Sequence, residues 1–219
     1  MIASSPLFEN VPLEEVARFL GSARRRAFRK GEVVFHEGDP GDTLHIIDKG
    51  RFAVRVTTLY GTVVTLVVLA AGDIFGEMAL LDEDAIRGAT VIALEAGETL
   101  SIRRTEFHNL RKNHPSVTEV LLSILTYKVR RYTEQLVEAL YVPAEVRVIR
   151  RLLELANLYG RGQDNPTVPL GQEDLAGLAG TSRATVNRVL RKEEQRKTVR
   201  LERGRTTILD RPALERRAK

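Results

Sequence analysis

The chain has 219 residues, 43% hydrophobic and 29% charged, with a formal net charge of +5 and no cysteine. Such a composition builds ordinary folded domains; it excludes disulfides, thiolate zinc sites, iron–sulfur clusters and cysteine nucleophiles. The longest apolar run, Val63 to Ala71, is broken by Thr65 and falls far short of the roughly 20 residues that span a bilayer, and Met1-Ile-Ala-Ser-Ser-Pro6 lacks the charged start and apolar stretch of a secretory signal, so a cytoplasmic protein that keeps away from membranes is expected.

In chain order, Leu13, Val16, Ala17 and Leu20 have the spacing of a short amphipathic helix ending near Gly21 and Ser22. Arg24-Arg25-Arg26 follows and reads as a solvated strand edge rather than a binding patch. From Phe28 to Ser101 the texture becomes strands and turns, with glycines between short runs such as Val33 to Phe35, Leu44 to Ile47, Phe52 to Val56, Thr62 to Leu69 and Thr90 to Leu94. Phe52, Val54 and Val56 alternate with their neighbours, the mark of a half-buried strand. Many short strands at regular spacing predict a sandwich or jelly roll able to hold a small ligand. Thr105 to Asn113 is a short helix stopped by Pro115, and Ser116 is placed to cap the next helix.

That next helix is the longest, running to about Val142 before Pro143; about 27 residues at ~1.5 Å each give roughly 40 Å. Leu122, Leu125, Val129, Tyr132, Leu136 and Ala139 recur at steps of 3, 4, 3, 4 and 3, the seam of a coiled coil, while Val117, Val120, Leu121 and Ile124 form a second stripe. One stripe suits the helix's own barrel and the other a second copy of the chain; packing wholly within one chain is the alternative. Val146 to Tyr159 reads as a further helix with Val146, Ile149, Leu152, Leu153, Leu155 and Ala156 buried, followed by a polar loop from Gly160 to Pro166.

The charge is uneven: residues 143–219 carry 17 Lys+Arg against 10 Asp+Glu, whereas residues 1–142 carry 17 against 19. A basic C-terminal third fits a nucleic-acid-binding domain. Within it, Gln172 to Arg191 has the pattern of a helix-turn-helix: small Ala176 where two helices touch, Gly180 for the turn, Val186 and Val189 facing inward with Leu175, Ala179 and Leu190, and Ser182 as a cap. Arg183, Asn187, Arg188 and Arg191 then lie on the exposed face of the second helix, where Arg can donate two hydrogen bonds to guanine; a merely solvated face is the alternative. Val199 to Glu202 and Arg205 to Leu209, flanking Arg203-Gly204, predict the hairpin of a winged helix, with Thr206, Thr207 or the arginines as phosphate contacts.

One stretch of the barrel carries chemistry of its own: Phe75-Gly-Glu-Met-Ala-Leu-Leu81, then Arg87-Gly88-Ala89-Thr90. Glu77 can accept from a sugar hydroxyl and Arg87 can pair with a phosphate; a surface Glu77–Arg87 ion pair would carry the same residues. In this order, the barrel, the Gly-Glu-x-Ala-Leu-Leu motif with Arg ten residues on, the long helix and Ser-Arg-x-Thr-Val-x-Arg together resemble the cyclic-AMP receptor protein/FNR (CRP/FNR) family of bacterial transcription regulators over nearly the whole chain. The resemblance implies an α+β fold: a cyclic-nucleotide-binding β jelly roll over residues 1–115, a dimerisation helix over 116–142 and a winged helix-turn-helix over 143–219. It implies a non-enzymatic homodimer whose interface includes Leu122, Leu125, Val129, Tyr132 and Leu136. A cyclic nucleotide, cyclic AMP foremost, is expected at Gly76, Glu77, Met78, Ala79, Arg87, Gly88, Tyr132 and Thr133, with no metal. Double-stranded DNA bearing an inverted repeat is expected at Ser182, Arg183, Ala184, Asn187, Arg188 and Arg191, and RNA polymerase as a further partner.

The chain departs from the family pattern at Gly88, where cyclic-AMP binders usually carry a hydroxyl; at Tyr132, larger than the usual residue; and at Ala184, often Glu. Lys192 to Thr198 lacks the leucines and glycine expected between the reading helix and the wing, so a poorly packed junction is expected there. Gly88 and Tyr132 favour a second reading, a regulator active without ligand and controlled by its abundance. A cupin-type metalloenzyme joined to a basic domain would need closely spaced histidines, whereas His36, His45, His108 and His114 are scattered.

Overall fold

The computed structural model describes residues 12–219 apart from 22, 81–85, 114 and 161; Ser22, Leu81 and His114 therefore lie outside the described residues, as does the side chain of Ala79. The chain divides into two compact units, Met1–Arg131 and Tyr132–Lys219.

The N-terminal unit begins with α1 (Leu13–Gly21) and continues through β1 (Arg24–Phe28), β2 (Val33–Phe35), β3 (Thr43–Lys49), β4 (Phe52–Thr57), β5 (Val63–Leu69), β6 (Ile74–Phe75), a 3-10 turn at Glu77–Leu80, β7 (Thr90–Ala93), β8 (Gly97–Arg103) and α2 (Arg104–Asn113) to α3 (Ser116–Tyr141). Two antiparallel sheets result, ordered β1-β8-β3-β6 and β2-β7-β4-β5. The triple Arg does lie on β1, an edge strand that among the described residues pairs with β8 alone. Successive side chains of a strand point to opposite faces, and in β3 both faces are covered. Leu44 and Ile46 join Ile102, Phe107 and the inner stripe of α3 (Val117, Val120, Leu121, Ile124). Ile47 joins Phe28, Phe52, Phe75 and Val91.

Two expectations change here. Phe52 and Ala53 are both fully buried and Val54 and Val56 only half-buried, because β4 runs between β5 and β7 and is covered on both faces at its start; the neighbouring bulge, with Leu66 as the extra residue opposite Val54 and Arg55, belongs to β5. Ser116 does not cap α3: it lies within the helix, its buried Oγ has no partner among the described residues, and the first turn is held instead by the Pro115 carbonyl, which accepts from the Thr118 N–H at 2.9 Å.

The C-terminal unit takes up the last part of α3, then α4 (Ala144–Tyr159), β9 (Thr167–Val168), α5 (Gln172–Leu178), α6 (Arg183–Gln195), β10 (Val199–Glu202), β11 (Arg205–Ile208) and α7 (Arg211–Arg217). In α4 it is Val148, not Val146, that is fully buried. Leu152, Leu155 and Ala156 pack in the same interior as Leu175, Ala176, Val186, Val189 and Leu190. The turn between α5 and α6 requires Gly180, whose φ of 57° is left-handed. The wing hairpin pairs Val199 with Ile208 and Glu202 with Arg205; β9, unforeseen from its two-residue length, adds a third strand beside β11.

Candidate ligand pocket and DNA-reading face

Gly76, Glu77 and Arg87 come together in the N-terminal unit. Gly76 has a φ of 80°, and a Cβ there would stand 2.7 Å from Arg87 Nη1, so only glycine admits the guanidinium. Arg87 is 5% exposed. Its Nη1 donates to the Thr43 carbonyl at 2.8 Å and the Gly76 carbonyl at 3.2 Å, its Nη2 donates to Thr43 Oγ1 at 2.8 Å, and its face lies 4.0 Å from the Phe35 ring centroid. Its Nε is buried without a partner among the described residues. Burial lowers the guanidinium's pKa, while the carboxylates of Asp42 and Asp39 oppose the shift.

Glu77, 6% exposed, accepts from Lys128 Nζ at 2.7 Å rather than from Arg87. The surface Glu77–Arg87 pair is thus replaced by two buried groups with separate partners. Lys128 and Thr43 escaped the sequence reading. Lys128 stands four residues before Tyr132 on α3, one helical turn away, and that spacing was the available signal. Of the other ligand candidates, the Met78 side chain is 65% exposed and Gly88 is exposed with open space around it. Tyr132 and Thr133 are exposed on α3. The interior of the same unit holds His45, stacked on Phe75 with centroids 5.0 Å apart and bonded to Thr99 Oγ1 at 3.0 Å. Among the described residues no group of three or more His, Asp or Glu is arranged to hold a metal ion.

Along α3, Leu122, Val129, Tyr132 and Leu136 are each more than half exposed, with Leu125 half-buried. Leu140 continues this face, and Tyr127, Val137 and Tyr141 are further exposed apolar residues at other angles around the helix.

In the C-terminal unit Ser182 Oγ accepts from the Thr185 N–H at 3.2 Å and caps α6. Arg183, Ala184, Asn187, Arg188 and Arg191 are all exposed on one side of that helix. Arg191 pairs with Glu194 at 2.8 Å, Arg188 with Glu145 at 3.6 Å, and Asn187 donates to Gln172 at 3.1 Å. Exposed pairs of this kind are worth about 0–1 kcal/mol, so each can be exchanged for a stronger partner. Thr206 is buried and Thr207 bonds Thr167 at 2.9 Å, and the wing's exposed cations are Arg200, Arg203 and Arg205, the last paired with exposed Glu202. Arg147, also unforeseen, donates to the carbonyls of Ala139 and Val142 at the end of α3 and to those of Ala179 and Gly180 at the helix-turn-helix turn. The 192–198 junction is not poorly packed: Glu193 and Thr198 are 2% and 4% exposed and hydrogen-bonded to each other.

A β sandwich with a buried Arg–Gly–Glu site, a long helix and a capped helix-turn-helix with a wing are the parts of a DNA-binding transcription regulator. Comparison with known proteins agrees: the cyclic nucleotide-binding domain family matches residues 25–114 and the Crp-like helix-turn-helix domain family residues 146–217. The chain is 35% identical over 211 residues to the cyclic AMP receptor protein of Thermus thermophilus, covering 96% of this chain and 95% of that protein. It is 30% identical over 222 residues to a CRP-like cAMP-activated global transcriptional regulator of Mycobacterium tuberculosis, covering 100% and 99%. The crystal structure of the Thermus thermophilus catabolite activator protein superposes with a TM-score of 0.57 at 34% identity, covering 98% of each chain. The chain belongs to the CRP/FNR family of transcription regulators, which are not enzymes, and the cupin alternative falls with that assignment. No described helix is long and apolar enough to cross a membrane.

Proposed function

We propose that the protein is a homodimeric regulator whose DNA binding is gated by a cyclic nucleotide, cyclic AMP foremost, and which acts on RNA polymerase at inverted-repeat sites. The observation that carries the ligand reading is Arg87: a buried cation, fixed by Thr43 and Gly76, with its buried Nε unpartnered among the described residues. A buried donor without an acceptor is costly, and a phosphate oxygen is the acceptor such a cation suits best. Glu77 would take the ribose hydroxyl. Because Lys128 on α3 already holds Glu77, a hydroxyl arriving at that carboxylate competes with or joins the ammonium and so acts on the helix that carries the dimer seam. Gating then follows if the nucleotide prefers the DNA-competent arrangement of the two reading helices.

On DNA, Arg183 and Arg188 would read guanines, and two half-sites would lie about 34–36 Å apart. Ala184 has no acceptor for cytosine N4, so the base pair beneath it would be weakly specified. Residues 1–115, 116–142 and 143–219 would serve as sensor, dimer helix and reading head. A second reading, constitutive binding, draws on the Lys128–Glu77 pair and on the missing hydroxyl at Gly88. Titration of the purified protein with cyclic AMP, cyclic GMP and cyclic di-GMP, followed by selection from a random DNA library with and without the bound nucleotide, tests both. Equal DNA binding in either condition would retire the gated reading, and a selected motif without two-fold symmetry would retire the dimeric one.

A further inference from the structure

The junction between the reading helix and the wing is built around a buried acid. Glu193, in the last turn of α6, is 2% exposed. Its Oε1 accepts from Arg196 Nη1 at 2.9 Å, and its Oε2 accepts from Thr198 Oγ1 at 2.6 Å and from Arg217 Nη2 on α7. Thr198 is in turn the point where both legs of the hairpin are fastened. Its N–H donates to the Glu193 carbonyl at 3.0 Å just before β10 begins. Its carbonyl accepts from the N–H groups of Leu209 and Asp210, at 2.8 and 3.1 Å, just after β11 ends. Asp210 then caps α7 by accepting from the Ala213 N–H at 2.9 Å. The wing's two ends thus meet on the Thr198 backbone, and the Thr198 hydroxyl, 2.6 Å from Glu193 Oε2 and 3.0 Å from the Glu193 carbonyl, ties them to the carboxylate that Arg217 of α7 also reaches.

Apolar packing would hold such a junction without directional constraint, and well-packed apolar residues often match or exceed the stability of a buried ionic cluster. Hydrogen bonds to a carboxylate, by contrast, fix direction as well as distance. We infer that Glu193 is a positioning residue for DNA recognition: through Thr198 it sets the wing, with Arg200, Arg203 and Arg205, at a defined place beside the reading face of α6. Glu193 and Thr198 are both buried, so an effect of changing them on DNA contacts is indirect: through the wing it alters phosphate contacts, through α6 it alters base preference.

The test uses the full-length protein with saturating cyclic AMP. Its probes are two duplexes, one of random sequence and one an inverted repeat selected from a library, titrated by fluorescence anisotropy across a salt series. Thr198→Val and Glu193→Gln should weaken binding to both duplexes alike and leave the ranking of base preferences unchanged. The slope of log affinity against log salt should become shallower by about one for each wing arginine released, each release lowering affinity roughly fivefold near 0.15 M salt. The double variant Glu193→Leu/Thr198→Leu should recover melting temperature without recovering the slope. If Glu193→Gln does not fold, Thr198→Val decides. Wild-type slope and affinity in Thr198→Val would overturn the inference, as would full recovery of both in the double variant. A change of base preference at constant slope would also overturn it, by placing the effect on the reading helix instead of the wing. Wild-type protein that bound neither duplex would overturn the DNA-reading assignment of α6 and this inference with it.

Discussion

Replacing Arg87 by Leu separates the two jobs its guanidinium does. In the folded chain it donates to the Thr43 carbonyl, Thr43 Oγ1 and the Gly76 carbonyl at 2.8, 2.8 and 3.2 Å. Leucine fills similar volume but strips these acceptors of a charged donor, at a cost of about 2–4 kcal/mol in stability. For a chain of this size that lowers the melting temperature by about 5–15 °C, so the variant folds but less stably. If Arg87 also holds the nucleotide's phosphate, truncating a desolvated charge pair costs a further ~2–5 kcal/mol of binding, a loss of about 30-fold to several thousand-fold. Titration calorimetry with cyclic AMP, beside thermal melts without nucleotide, reads both numbers. Thr43→Val is the control: it removes one acceptor of Arg87, lowers the melting temperature and keeps affinity within a few-fold. Affinity of Arg87→Leu within twofold of the parent would refute the phosphate assignment.

Three further outcomes follow from particular residues. A Cβ at Gly88 meets nothing within 4 Å, so Gly88→Ser fits; a hydroxyl donating to phosphate is worth about 1.5–3 kcal/mol, and calorimetry should show about ten- to hundredfold tighter cyclic-AMP binding, whereas no gain would place the phosphate elsewhere. Val129 is 65% exposed on α3, and Val129→Glu would set like charges against each other across a two-fold axis; sedimentation should then show monomers and weaker DNA binding, and a persistent dimer would move the interface off this face. His45 is held down at about 3 by burial and by the nearby cations of Arg87 and Arg26, so between about pH 6.5 and 3 the unfolded chain binds the proton that the folded chain refuses. Stability is therefore full above that window and falls by about 1.4 kcal/mol per unit as pH drops through it. His45→Gln should flatten the acid limb of a denaturation series followed by circular dichroism, and parallel curves would assign the acid sensitivity to other groups.

Local chemistry in the sequence determined a great deal of this protein. The helix-turn-helix is legible because its constraints are local: Gly180 must supply a left-handed φ, Ser182 must cap within three residues, and Val186 and Val189 must lie on the buried side of one short helix. The two stripes of α3 are legible for the same reason, since helical periodicity alone separates Val117, Val120, Leu121 and Ile124 from Leu122, Val129 and Leu136. Only the tertiary structure decided what those groups touch. Arg87 and Thr43 are 44 residues apart and meet because β3 runs past the turn that carries Gly76; Glu77 and Lys128 are 51 apart and meet because the inner stripe packs α3 on the sheet. Lys192 to Thr198 differed most from expectation, because a segment without the usual leucines and glycine reads as poorly packed. Lys197 takes the positive φ, 60°, for which glycine was expected. Glu193 is buried because Arg217, 24 residues further on, returns on α7 to neutralise it. A charge is stable in the interior only when its partners come with it, and no local pattern announces a partner that the fold must bring from elsewhere in the chain.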